Sequence, residues 1–228
     1  MNKLNIKVVY FSAVIIVILG LFFILSKKSN NPLIINKAVD ASSSTANVIK
    51  QPATSQPVAS IKKPRLALPI KNALGRVTKK PFGIKVSPGN SPVSPEKFSG
   101  YHTGVDFETT PDEQNIAVPI YAICDGKLLL KKSATGYGGV LVESCKIDNR
   151  AVTIIYGHLK LTSIINKVND TLKAGQQIAI LGKGYSVETA GERKHLHLGI
   201  HLGAAINLLG YVQTPQALKN WLDVINYL

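Results

Sequence analysis

The chain is poor in cysteine, in acidic residues and in charge altogether, and each shortage narrows its nature. Cys124 and Cys145 are the only cysteines, too few for a disulfide scaffold, and no CxxC occurs. In an oxidising compartment they could pair; in the cytosol they would be buried thiols. Charged residues make up only 18%, with 13 Asp and Glu against 27 Lys and Arg. No HExxH is present, so a thermolysin-type base is absent. No Lys-Ser/Thr pair follows Gly182 and Gly184, which disfavours a phosphate loop, and no internal repeat is visible. A length of 228 residues allows one globular domain plus a further segment, and is short for two large domains.

What is present is unevenly placed. Residues 1–100 carry 15 Lys and Arg against 2 Asp and Glu, whereas residues 101–228 carry 12 against 11. The folded half is thus nearly neutral, which argues against a nucleic-acid reader. The basic half suits attraction to anionic lipid or wall polymer, or simply solvated linker lysines. Residues 8–26 run without a charge between Lys7 and Lys27, long enough at about 1.5 Å per residue to cross the ~30 Å hydrocarbon core as a helix. A cleaved signal peptide would have a shorter apolar run and a small-x-small site. None lies near Ser26, so residues 1–28 are expected to be an uncleaved anchor. Residues 29–75, rich in Ser, Thr, Ala and Pro, read as a flexible basic tether that cannot bury enough apolar surface to order itself.

From 76 onward the texture changes. Short apolar runs such as VPIYAIC, GGVLVESC, AVTIIYGHL and HLHLGIHLG alternate with glycine-rich and Asp-Gly or Asp-Asn turns. That pattern predicts an all-β domain over 76–228. The final PQALKNWLDVINYL, with Leu218, Trp221, Leu222 and Ile225 apolar, allows a short helix packed by one face. All five histidines lie in this domain: His102, His158, His195, His197 and His201. A lone HxxxD such as His102 to Asp106 is usually accidental, and a lone His in a strand is usually a satisfied core or surface imidazole. His195-x-His197 is more informative, because a strand's period of two puts both rings on one face. Three protein ligands and a water make a typical catalytic zinc site.

Taken together, PFGIKVSPGN, FSGYHTGVDFE, VPIYAICDGKL, GYGGVLVE, IIYGHL, AGQQIAILGKG and HLHLGIH resemble, in order, the successive signatures of the lysostaphin-type zinc metallopeptidases, over residues 79–203. The resemblance implies a mostly antiparallel two-sheet β domain with a metal in a groove. It implies Zn2+ held by His102, Asp106 and His197, with His158 and His195 as catalytic non-ligand histidines. It implies an endopeptidase acting on the peptides of bacterial peptidoglycan, hence an extracytoplasmic domain on a single-pass cytoplasmic-membrane anchor. The alternative is a non-catalytic wall-binding or hydrolase-activating module of the same fold. Three positions depart from the family pattern: Gly199 where an acid is common, Lys85 where Arg is common, and His201, which by period two could line the groove but is expected to be peripheral. In the family pattern the strands ending at Cys124 and Cys145 are close in one sheet, which together with an outside location implies a disulfide between them.

Overall fold

The computed structural model describes residues 66–228. The anchor expected at 1–28 and the tether as far as 65 lie outside the described residues. Among the described residues no helix is long and apolar enough to cross a membrane. The fold is almost wholly antiparallel β-structure, as the alternating short runs require.

Twelve strands follow in order: β1 (Lys85–Val86), β2 (Gly100–His102), β3 (Gly104–Glu108), β4 (Pro119–Tyr121), β5 (Gly126–Ala134), β6 (Gly138–Ile147), β7 (Arg150–Gly157), β8 (Thr171–Leu172), β9 (Gln177–Ile180), β10 (His195–Leu202), β11 (Tyr211–Val212) and β12 (Trp221–Leu222). The main sheet runs β12-β10-β7-β6-β5-β8, with β3 also paired to β10. A three-stranded sheet β1-β2-β11 and a β4-β9 ribbon complete the fold. The expectation of two sheets is corrected to one dominant sheet with two small ones. The strands outside the main sheet are only two to four residues long, too short to build a second full layer.

Two further boundaries differ from the sequence reading. Residues 66–75, placed with the tether, pack on the domain: Ile70 and Ala73 are in its core. Leu66 N–H donates to the Tyr227 carbonyl and Ala67 N–H to the Ile123 carbonyl. Arg76 then forks onto Glu113 at 2.6 and 2.7 Å, fixing this segment to the loop after β3. The C-terminal helix is cut to Pro215–Leu218, because Trp221 and Leu222 pair with His201 and Ile200 as a strand instead.

The core follows from period two. On β10, Leu196, Leu198 and Ile200 point to the main core with Val105, Phe107, Ile154 and Tyr156. The opposite face carries His195, His197 and His201, next to a smaller apolar cluster of Tyr137, Val140, Val142, Ile155 and Trp221. Cys124 and Cys145 are bridged, with Cα atoms 6.2 Å apart. The bridge ties the residues before β5 to β6, and a closed loop of that length is worth about 3 kcal/mol in the chain-entropy model.

A carboxylic acid, Glu143, is buried against Tyr156 of the main core. It is fully buried, accepts a 2.6 Å hydrogen bond from the Tyr156 hydroxyl, and its Oε1 has no protein partner. Burial pushes its pKa up to about 8, aided by Asp125 and opposed by the Tyr156 hydrogen bond. Between its ordinary 4.5 and about 8 the folded chain holds a proton that the unfolded chain releases. Its contribution to stability therefore falls as pH rises through that window. Glu143→Gln should stabilise the protein at pH 8.5 on the order of a few kcal/mol and change little at pH 4.5. Denaturant melts at both pH values check this; parallel pH curves for the two proteins would contradict it.

Candidate metal centre

Strand register brings the chemistry together. Asp106 of β3 lies directly opposite His197 of β10, and Glu108 opposite His195. His102 ends β2, two residues before β3 begins. Its backbone N–H donates to the Ile84 carbonyl and its carbonyl accepts from Gly83 on one side, and Tyr211 of β11 pairs with it on the other, so the short strand is pinned on both sides. On the far side of β10, Gly157 of β7 pairs with His197. Only glycine fits there: a Cβ would come within 2.4 Å of the Tyr137 ring. His158 follows at once with φ 63, a left-handed conformation that costs of the order of 1–3 kcal/mol for a non-glycine residue. Hydrogen bonds of His158 N–H to the Tyr137 carbonyl and of Gly182 N–H to the His158 carbonyl hold it in place.

Three donor atoms converge. His102 Nε2 is 3.0 Å from His197 Nδ1 and 3.3 Å from Asp106 Oδ1, and His197 Nδ1 is 3.2 Å from the same oxygen. A tetrahedral ion with bonds of about 2.0–2.1 Å has ligand-to-ligand edges of about 3.3 Å, so the triangle has the size zinc needs. His102, Asp106 and His197 form the one group of this kind among the described residues. The tautomers also fit. His102 Nδ1 faces the Pro81 carbonyl at 3.2 Å, an acceptor only, so it carries the proton and Nε2 keeps its lone pair. His197 Nε2 lies 3.4 Å from the Tyr137 hydroxyl, which can accept its proton and leave Nδ1 free.

The electrostatics favour a cation. Burial raises the Asp106 carboxyl, but His195 and His102 outweigh it and hold its pKa well below the ordinary range. Burial lowers His197 to about 4, so its ring is neutral at pH 7, as a ligand must be. Asp106 and Glu108 against Arg193 leave one net negative charge among the buried groups before any imidazole protonates, with the exposed Lys79 ammonium 3.7 Å from Glu108.

Beside the triangle is a cavity of about 290 Å³, lined by Asp106, Tyr137, His158, Arg193, His195 and His197 among others. The His158 and His195 rings sit 4.3 Å apart. His195 Nδ1–H donates to the Arg193 carbonyl at 2.9 Å, which turns Nε2 toward Asp106 Oδ2 at 3.2 Å. His158 is buried, no protein group satisfies its Nδ1, and burial together with His195 keeps its pKa well below the ordinary value. All five residues predicted from sequence are thus brought together.

The departures are also explained. A Cβ at Gly199 would lie 3.3 Å from the Trp221 ring, so Trp221 occupies the room an acidic side chain would take. Lys85 projects over the Tyr101 ring, its Nζ 5.4 Å from the centroid. His201 packs edge-on against Trp221 at 4.8 Å and is absent from the cavity lining. Sequence reading missed Tyr137, which lies within the GYGGVLVE block but stands between turn-forming glycines. It also missed Arg193, whose signal was an Arg-Lys pair immediately before the His-x-His pair. It missed Lys80, buried against Glu96 at 2.6 Å and donating to the Tyr211 hydroxyl at 2.9 Å.

Residues 100–208 match the family model described as Peptidase family M23. No curated protein matches it in sequence. Among solved structures, Helicobacter pylori Csd3 in its orthorhombic crystal is 23% identical at TM-score 0.42, over 67% of this chain and 36% of that one. The catalytic domain of the antimicrobial peptidase lysostaphin from Staphylococcus simulans is 22% identical at TM-score 0.42, over 65% of this chain and 86% of that one. A zinc containing peptidase from Vibrio cholerae is 23% identical at TM-score 0.40, over 64% and 41%. The chain therefore spans little more than a third of the length of Csd3.

Metal analysis of the full-length chain should give one zinc per molecule, lost in His102→Ala and in His197→Ala. Full zinc occupancy in both variants would contradict the assignment.

Proposed function

We propose that the chain is a zinc-dependent endopeptidase that hydrolyses peptide crosslinks of bacterial peptidoglycan outside the cytoplasmic membrane. The observation that carries this reading is the convergence of His102 Nε2, Asp106 Oδ1 and His197 Nδ1 at 3.0–3.3 Å, with His158 and His195 beside them in one cavity. The match of residues 100–208 to the M23 family model and the resemblance over residues 79–203 support the substrate class. Zinc, when bound, polarises a peptide carbonyl and acidifies water toward a pKa of about 7.

The remaining work falls to the chain's own side chains. His158 is held neutral by burial and presents an unpartnered ring nitrogen, the state a proton acceptor needs. His195 has its Nδ1 proton fixed on the Arg193 carbonyl, so Nε2 is the atom that takes up and gives back a proton at the cavity. The Tyr137 phenol is pushed up by burial and by Asp106, so it stays protonated at neutral pH. When its oxygen accepts from His197, its own hydrogen is free to stabilise negative charge developing on the substrate. All five positions are filled with the side chains that catalysis requires, which favours the enzyme over the non-catalytic module.

Purified cross-linked wall fragments should yield new amino termini on incubation with the zinc-loaded chain and none after chelation. His158→Ala and His195→Ala should each retain zinc while losing roughly 10²–10⁴-fold in turnover, the usual cost of removing an acid-base group. Loss of zinc in either variant would contradict the roles assigned. A chain that binds zinc and wall but releases no termini would be the non-catalytic module instead.

Location is part of the same proposal. Residues 1–28 anchor the protein in the cytoplasmic membrane, and the basic segment beyond them carries the domain toward the wall. Protease added to intact spheroplasts should cut between the anchor and residue 66. Protection until lysis would contradict this topology.

A further inference from the structure

The two oxygens of Asp106 have different surroundings. Oδ1 faces His102 and His197, whereas Oδ2 accepts from Arg193 Nη2 at 2.9 Å and faces His195. Arg193 also grips Glu108, with Nε donating to Oε1 and Oε2 at 3.0 and 2.9 Å and Nη2 adding a further bond. Asp106 and Glu108 are two residues apart on β3, so period two places both carboxylates on the face where the guanidinium lies. Arg193 is only 11% exposed, so its charge is directed at these two groups rather than at solvent. Its backbone carbonyl takes the His195 Nδ1 proton. Lys194, next in sequence, donates to the carbonyls of Glu113, Gln114 and Ile116, which holds this stretch of backbone still.

From this placement we propose that Arg193 is a positioning residue that keeps Asp106 turned with Oδ1 alone toward the metal, and that Glu108 is the counter-charge that makes a cation tolerable there. The inference rests on the ligand assignment made above. A carboxylate left to itself rotates about its Cβ–Cγ bond and presents either oxygen, or both. A guanidinium locked on Oδ2 removes that freedom before the ion arrives. The same guanidinium is a positive charge beside a divalent ion, a repulsive neighbour. Glu108 offsets it at hydrogen-bond distance, so orientation is gained without raising the local charge. The planar fork of arginine can reach both carboxylates at once, which the single ammonium of lysine does less well.

The full-length chain decides this by two readouts: zinc affinity in competition with a chromophoric chelator, and the visible absorption of the Co2+-substituted protein. Arg193→Gln should weaken zinc binding about 10–100-fold, the range found for partners of metal ligands. It should also change the intensity of the cobalt bands, which report the number and geometry of ligands. Arg193→Lys should recover part of both. Glu108→Gln should weaken zinc as well, although the ligand triangle is intact, because the guanidinium then loses both its aim and its counter-charge. If Arg193→Gln does not fold, Glu108→Gln and Arg193→Lys decide the matter by the same readouts. Zinc affinities within about twofold of wild type and an unchanged cobalt spectrum in the folded variants would overturn the role of Arg193 alone. A wild-type chain that takes up neither zinc nor cobalt would overturn the ligand assignment and this inference with it.

Discussion

The pairing of His197 with Asp106 across β10 and β3 is the constraint on which the rest of the site depends. It is enforced from the other face of the sheet. Leu196, Leu198 and Ile200 alternate with the histidines and are fully buried in the main core. Burying each is worth roughly 1.5–3 kcal/mol, and a slip of one residue would turn all three to the cavity and the imidazoles into hydrocarbon. Hydrophobic burial thus sets the register, and the register sets the spacing of the donor atoms. The metal centre needs no ligand of its own to bring Asp106 and His197 into contact; the ion has to satisfy a triangle that the sheet has already built.

That arrangement carries an electrostatic cost which the surrounding residues meet. Three lone pairs held at 3.0–3.3 Å repel one another unless a cation lies between them. The Pro81 carbonyl and the Tyr137 hydroxyl select the tautomers, and burial keeps His197 neutral. Arg193 and Glu108 complete the balance on the second oxygen of Asp106. The buried Lys80–Glu96 pair works at one remove, holding Tyr211 against the His102 ring, with centroids 5.2 Å apart. Apart from Tyr137, whose hydroxyl hydrogen is also proposed to meet the substrate, these groups act on the orientation or charge of His102, Asp106 and His197.

Much of this was legible in the sequence because it is written in short-range periods. Alternation marked β10, and period two put His195 and His197 on one face. The blocks of motif around His102, His158 and His197 contain the five residues that the fold brings near one another. The limits were equally physical. Residues 66–75 have a tether's composition, yet Ile70 and Ala73 are buried and Arg76 is drawn to Glu113, long-range contacts that no local window reveals. The C-terminal segment has helical spacing at Leu218, Trp221, Leu222 and Ile225, but an open edge on β10 captured Trp221 and Leu222 as a strand. Tyr137 and Arg193 enter the site from loops, where side-chain direction follows from tertiary packing and not from period.

Three atoms, His102 Nε2, Asp106 Oδ1 and His197 Nδ1, are proposed to share one ion. Anomalous diffraction at the zinc edge from crystals of the zinc-loaded protein tests it most directly. A single strong peak is expected about 2.0–2.2 Å from each of the three atoms, with His158 and His195 outside bonding distance. A peak bonded to His158 or His195 in place of one of the three, or no peak between β2, β3 and β10, would contradict it.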